Sequence, residues 1–107
     1  MSELAKVVVL AWVGLMLPLS VHAAASEREP VVLVVGDSLS AGYGVAVDST
    51  WVALLQQRLA KQGYGYRVVN ASISGDTTGG ARTRLPRALE LHKPAVVILE
   101  LGGNDGL

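Results

Sequence analysis

Aliphatic residues cluster in three short runs along the chain, at residues 31–35 (VVLVV), 66–71 (YRVVNA) and 95–101 (AVVILEL). Runs of β-branched and aliphatic residues are typical of strands that are buried on both faces of a parallel sheet. Between the runs, apolar residues recur three and four positions apart, which is the spacing of one face of a helix. The pattern therefore predicts an α/β fold of order βαβαβ, with parallel strands joined by right-handed crossovers.

The first helical segment follows a cluster of N-capping residues at 48–50 and stops at Gly63. Its periodic apolar residues are Trp51, Val52, Leu54, Leu55 and Leu59. Trp51 is accordingly predicted to be a core residue.

The second helical segment has an inner face of small and aliphatic residues, which are Ala81, Leu85, Ala88 and Leu89. The arginines between them are predicted to form a solvated outer face, and they are Arg82, Arg84 and Arg87. Pro86 lies inside this pattern and predicts a kink or a restart, because proline lacks the N–H group that continues a helix. We expect the helix to end by His92, ahead of Pro94.

The order of the strands decides where the connecting loops meet. We favour the order 2-1-3, the first part of a flavodoxin-like, three-layer parallel-sheet fold, while the pattern leaves the order 3-2-1 open. The loops that follow the three strands, at residues 36–40, 74–77 and 102–105, should all lie at the carboxyl edge of the sheet. Open α/β sheets bind their ligands at that edge.

The first 25 residues follow a different pattern. Lys6 precedes an apolar run at residues 7–19, and three alanines follow at 23–25. This order is typical of a secretory signal peptide, and the run is shorter than the ~20 residues of a membrane-spanning helix. We expect residues 1–25 to be removed on export to the periplasm or the medium, with an uncleaved anchor as the alternative. Residues 26–107 would then carry no stable membrane span.

Charge and composition exclude several classes of protein. The chain carries nine basic and nine acidic side chains without blocks of either sign, whereas a nucleic-acid surface needs clustered Lys and Arg. The sequence contains no cysteine, so disulfides and thiolate metal sites are excluded. We expect no nucleic-acid partner, no metal and no other cofactor.

The three strand-end loops supply a hydroxyl from Ser38, a backbone N–H group from Gly75 and a side-chain amide from Asn104. A hydroxyl nucleophile and N–H donors for a developing oxyanion are the groups that acyl transfer requires. Other motifs do not fit: the chain has no phosphate-binding G-x-x-x-x-G-K-[ST] loop, no complete dinucleotide fingerprint and no G-x-S-x-G elbow.

The same three loops resemble the signature blocks of the GDSL, or SGNH, hydrolases. Residues 36–40 (GDSLS) are similar to the first block, residues 70–77 (NASISGDT) to the second and residues 103–105 (GND) to the third. The resemblance covers residues 31–107. Within the family, the sequence of these blocks is similar to that of a branch of periplasmic bacterial thioesterases that also act as lysophospholipases and arylesterases.

The resemblance implies a role for each residue. Ser38 would be the nucleophile, and the N–H groups of Ser38 and Gly75 with the Asn104 side chain would form the oxyanion hole. The family's fourth block, Asp-x-x-His, supplies the acid and the base and does not occur in this sequence. We therefore expect residues 26–107 to be an incomplete hydrolase domain, inactive alone, of an enzyme that is a monomer when intact and cleaves small acyl esters or thioesters. The alternative is a non-catalytic remnant or ligand-binding module.

Three further polar residues are assigned structural roles. His92 precedes the third strand, which would place it roughly 20 Å from Ser38, too far for a general base. We expect His92 to be a solvated residue at a helix end. Asp37 is expected to brace its loop as a hydrogen-bond acceptor, with a direct catalytic role as the alternative. Glu100 is expected to find structural partners because it lies in a buried strand.

The N-terminal pattern makes a first testable prediction. N-terminal sequencing of protein recovered from the periplasm is expected to find Ala24, Ala25 or Ser26 as the first residue, because small residues mark the cleavage site. A membrane-embedded product that begins at Met1 would contradict this prediction.

Overall fold

The structure is a computed structural model that describes residues 29–107, so the predicted signal peptide at residues 1–25 lies outside the described residues. The elements, in chain order, are strand β1 (Val31–Gly36), the one-turn helix α1 (Ser38–Ala41), a 3₁₀ turn (Val47–Ser49), helix α2 (Trp51–Lys61), strand β2 (Arg67–Asn70), helix α3 (Thr78–His92) and strand β3 (Val96–Glu100). No helix in this part of the chain is long and apolar enough to cross a membrane.

The three strands form one parallel sheet in the order β2-β1-β3. The predicted α/β class and the favoured strand order are thus confirmed, and the order 3-2-1 is excluded. Because the two crossovers run in opposite directions along the sheet, their right-handedness places α2 and α3 on opposite faces. The central strand β1 is buried along its whole length, and Leu33 and Val35 form a core cluster with Ala81 of α3.

Helix α2 begins and ends where the sequence predicts. The Thr50 side chain accepts a hydrogen bond from the Ala53 N–H group at 3.2 Å, and Gly63 follows the helix with a φ of 80°. Val52 is buried and Trp51 is half-buried, but Leu54 is 51% exposed, so the predicted apolar face is only partly covered.

The outer edge of β2 is covered by a side chain of α2. The Gln56 amide donates to the Tyr66 carbonyl at 3.0 Å, and its oxygen accepts from the Val68 N–H group at 2.8 Å. Gln56 therefore makes the pair of hydrogen bonds that a neighbouring strand would otherwise provide. An unpaired strand edge is a template for aggregation, and the hydrogen bonds of Gln56 occupy backbone groups that another chain could otherwise pair with.

Helix α3 is longer and more regular than the sequence predicts. It begins at Thr78, capped by the Thr77 side chain, and continues through Pro86 to His92. Of the two predicted alternatives at Pro86, the restart is wrong, and the kink stays a prediction. A proline leaves one carbonyl group of the preceding turn without a donor, here that of Arg82, and both residues are exposed, so water can reach it. His92 is the last helical residue, as predicted, and is half-buried.

Strand β3 pairs with β1 on one side, and within residues 29–107 no strand covers its other side. Val96, Val97 and Leu99 are substantially exposed, the last by 59%. This apolar strand was predicted to be buried on both faces, and the described residues cover it only in part. An exposed apolar edge strand favours association with other chains.

We expect residues 26–107 alone to be poorly soluble or only partly folded, because the apolar surface of β3 is open to other molecules. The substitution Leu99→Lys should raise the soluble fraction in a sedimentation assay. Leu91→Lys is the matched control, since Leu91 is even more exposed, at 69%, but lies on α3. A cooperative thermal transition from a soluble monomer of the unchanged segment would contradict the prediction.

Candidate active site

Ser38 lies directly after the central strand, as the first residue of α1. The sequence suggested an irregular loop here, but Asp37 caps a helical turn: its Oδ1 accepts a hydrogen bond from the Leu39 N–H group at 3.0 Å. Asp37 is buried, which agrees with its predicted bracing role, and Ser38 is half-exposed. The turn thus holds the Ser38 side chain at the carboxyl edge of the sheet.

A buried hydrogen-bond network fixes this turn from below. The Ser40 hydroxyl donates to Glu100 Oε1 at 2.7 Å and accepts from the Trp51 indole N–H group at 3.1 Å. The backbone N–H group of Asp37 lies 3.4 Å from the same carboxylate oxygen. Glu100 therefore has the structural partners that were predicted for it. The polar contact of Trp51 was not foreseen, because a periodic apolar pattern carries no information about its indole N–H group.

Gly36 allows the turn to approach β3 this closely. A Cβ atom at this position would lie 2.7 Å from Ser40 Oγ and 2.9 Å from the Glu100 carbonyl oxygen. Both distances are shorter than real Cβ contacts. Any larger residue at position 36 would push the turn that carries Ser38 away from the sheet.

Gly75 lies in the loop after β2, as the third residue of a tight turn. The Asp76 N–H group donates to the Ile73 carbonyl at 3.1 Å, and Gly75 has a φ of 84°, a conformation that glycine adopts without strain. The Ile73 N–H group donates to the Gly36 carbonyl at 3.0 Å, which ties this loop to the end of β1.

A second link joins the loop after β2 to α1. The Asn70 side chain donates to the Ser40 carbonyl at 2.8 Å and accepts from the Ser72 N–H group at 3.1 Å. Asn70 was not among the predicted site residues. Its position at the end of a strand, two residues before a polar loop, was the available signal.

Asn104 lies in the loop after β3, and its side-chain amide donates to the Asp76 carbonyl at 2.9 Å. In the same loop, the Asp105 carboxylate accepts from the Thr78 N–H group at 2.8 Å and from the Thr78 hydroxyl at 2.9 Å. A Cβ atom on Gly103 would lie 3.9 Å from the Asp37 carboxylate. The third loop therefore contacts both of the others.

The predicted solvated arginine face is wrong for Arg84. Arg82 and Arg87 are exposed, but Arg84 Nε donates to Asp76 Oδ2 at 2.9 Å, and its Nη1 donates to the Ala71 carbonyl. A sequence signal for this existed. Arg84 lies three residues after Ala81, which places it on the inner stripe of α3 at helical spacing.

The structure brings the three sequence-predicted site residues, Ser38, Gly75 and Asn104, to one edge of the sheet and holds their loops together. His92 lies at the opposite edge, as expected, because the Ala95 N–H group pairs with the carbonyl of Val31, the first residue of β1. The length of β1 separates the two edges by roughly 16 Å. Among residues 29–107, no three His, Asp or Glu side chains are grouped to hold a metal ion.

The parallel sheet carries a capped serine turn, a glycine turn and an asparagine amide at its carboxyl edge. Residues 34–107 match the model of the GDSL-like lipase/acylhydrolase family, and the chain belongs to this family.

Individual relatives are bacterial enzymes. The chain is 64% identical over 76 residues to esterase TesA of Pseudomonas aeruginosa, covering 71% of this chain and 38% of that protein. It is 47% identical over 89 residues to thioesterase 1/protease 1/lysophospholipase L1 of Escherichia coli, covering 83% of this chain and 40% of that protein. The crystal structure of TesA superposes with a TM-score of 0.70 at 63% identity, covering 71% of this chain and 42% of that one. The chain thus spans less than half the length of these relatives.

The close approach at Gly36 makes a prediction for a hybrid protein in which residues 29–107 replace the matching segment of TesA (the TesA hybrid). Gly36→Ala should lower the free energy of unfolding by about 1–3 kcal/mol, because the added methyl group overlaps Ser40 and the β3 backbone. Gly65→Ala is the control, since nothing lies within 4 Å of that position. Denaturant titration measures both variants, and equal stability would contradict the prediction.

Proposed function

We propose that the intact protein hydrolyses acyl esters or acyl thioesters through an acyl intermediate on Ser38. The observation that carries this proposal is the position of Ser38 at the head of α1, at the sheet edge where the loops of Gly75 and Asn104 also lie and are hydrogen-bonded to the end of β1 and to each other. Family membership and the printed names of the relatives, an esterase and a thioesterase, support the same reaction class.

In this mechanism Ser38 Oγ attacks the carbonyl carbon of the substrate, and negative charge develops on the carbonyl oxygen. The Ser38 N–H group is available to that oxygen, because the first N–H groups of a helix have no acceptor within it. The Gly75 N–H group and the second N–H of the Asn104 amide are the other proposed donors. Donors that are fixed in advance stabilise the oxyanion without reorganising during the reaction.

A general base must take the proton of Ser38, and an acid must orient that base. The family resemblance assigns both roles to an Asp-x-x-His block, which the 107 residues do not contain. His92 cannot replace it, since it lies at the far edge of the sheet. The proposed reaction uses N–H donors and a proton acceptor, and so requires no metal and no cofactor.

We also propose export to the periplasm or the medium, on the signal-peptide pattern of residues 1–25. The proposed ligand is a small acyl ester or thioester, and the proposed working form is a monomer.

The TesA hybrid tests the proposed reaction. It is expected to hydrolyse short aryl esters and acyl thioesters, and Ser38→Ala should reduce turnover by on the order of 10⁶. Asn104→Ala should reduce turnover by about 10²–10³, because one donor to the oxyanion is lost, while labelling of Ser38 by a fluorophosphonate probe survives in part.

Ser74→Ala is the matched control, because Ser74 is an exposed serine in the loop after β2. The 107-residue chain alone should show neither turnover nor labelling. Turnover that persists in the Ser38→Ala hybrid would overturn the proposed mechanism, and a hybrid that folds and binds substrate without turnover would favour a binding module.

A further inference from the structure

One guanidinium group holds both ends of the loop that carries Gly75. Arg84 Nη1 donates to the carbonyl of Ala71, where the loop leaves β2, and Nε donates to the carboxylate of Asp76, directly after Gly75. The planar, forked guanidinium of arginine suits two acceptors at a fixed separation, which the single ammonium group of lysine does not. Arg84 thus fixes the span of the loop from helix α3.

Asp76 connects Arg84 to two of the proposed oxyanion donors, the Gly75 N–H group and the Asn104 amide. Its N–H group closes the turn that contains Gly75, and its carbonyl accepts the Asn104 amide at 2.9 Å. Its carboxylate also accepts from the Thr77 N–H group at 3.0 Å, which limits rotation of the side chain. A shift of Asp76 would therefore displace the Gly75 N–H group and the Asn104 amide together.

The pair is partly shielded from water, with exposed side-chain fractions of 24% for Arg84 and 12% for Asp76. Gly80 of α3 makes room for it, because a Cβ atom at that position would overlap Asp76 Oδ1. The neighbouring Gly79 has no such contact: a Cβ atom there would lie 3.8 Å from Thr77 Oγ1. The position of the Asp76 carboxylate thus requires a glycine at position 80 but not at position 79.

We propose that Arg84 is a positioning residue of the oxyanion hole, which acts through Asp76 on the Gly75 N–H group and the Asn104 amide. The inference rests on the proposed function, since it assumes that these two groups donate to the oxyanion. Arg84 itself touches no reacting atom. Its effect on catalysis arises because misplaced donors stabilise the transition state less well.

Kinetics of the TesA hybrid test the proposal. Arg84→Met should lower kcat by about 10–100-fold and change KM by less than about threefold, because the donors act on the transition state. Arg84→Lys should restore only part of kcat, since lysine cannot hold both acceptors. Arg82→Met is the control: it removes an exposed arginine from the same helix and should leave kcat unchanged.

A double-mutant cycle separates positioning from general loss of stability. The fold-reduction of kcat by Arg84→Met should be severalfold smaller in the Asn104→Ala background than in the unsubstituted hybrid. The reason is that one of the groups that Arg84 positions is already absent. Gly80→Ala should lower kcat as Arg84→Met does, while Gly79→Ala should not. Equal effects of Arg84→Met in both backgrounds, or equal effects of the two glycine substitutions, would overturn the proposal.

A readout without turnover keeps the proposal distinct from the proposed function. The Asp76 N–H group donates to the Ile73 carbonyl and closes the Gly75 turn, so its hydrogen exchange should rise on the order of tenfold in Arg84→Met and stay unchanged in Arg82→Met. If the hybrid hydrolyses esters in a Ser38-dependent way but Arg84→Met matches Arg82→Met, the inference fails and the proposed function stands. If Ser38 proves dispensable while exchange at the Asp76 amide depends on Arg84, the proposed function fails and the role of Arg84 in holding the loop stands.

Discussion

The contact between the serine turn and the end of β3 is the constraint on which the rest of the site depends. Glu100 ends β3 with a carboxylate that accepts from the buried Ser40 hydroxyl and lies near the Asp37 N–H group. Glu100 is half-buried, and a partly shielded carboxylate is stabilised by such hydrogen-bond partners. The network can form only because Gly36 has no side chain. The position of Ser38 is therefore set by the end of β3 as well as by the capped turn that carries it.

A second centre, Asp76, joins the remaining two loops, and its three polar groups face three different elements. The N–H group faces its own turn, the carbonyl faces Asn104, and the carboxylate faces Arg84 on α3. Polar networks of this kind favour one geometry, although Arg84 Nη2 is buried without a hydrogen-bond partner among residues 29–107. In the proposed mechanism this rigidity is useful, since fixed donors avoid the free energy of reorganisation.

The two edges of the sheet differ in how they are covered. Gln56 satisfies the edge of β2 with its side-chain amide, whereas the apolar residues of β3 stay exposed within the described part of the chain. The chain spans 38% to 40% of the length of the two bacterial enzymes compared with it. The described residues carry the serine, glycine and asparagine of the proposed site, and family membership is clear from them. Activity, substrate and assembly are proposals.

The sequence by itself determined the features that depend on neighbours along the chain. The spacing of apolar residues predicted the order of strands and helices. The cluster at residues 48–50 predicted the N-cap of α2, which is Thr50. The position of Ser38 directly after a strand predicted that it lies at the carboxyl edge of the sheet. Only the tertiary structure showed that Ser40 meets Glu100, because these residues are 60 positions apart. It also showed that Arg84, which was predicted to be solvated, donates hydrogen bonds to Asp76 and Ala71. Helical spacing gives the face on which a side chain lies, whereas its polar partner is decided by the loop that packing brings against that face.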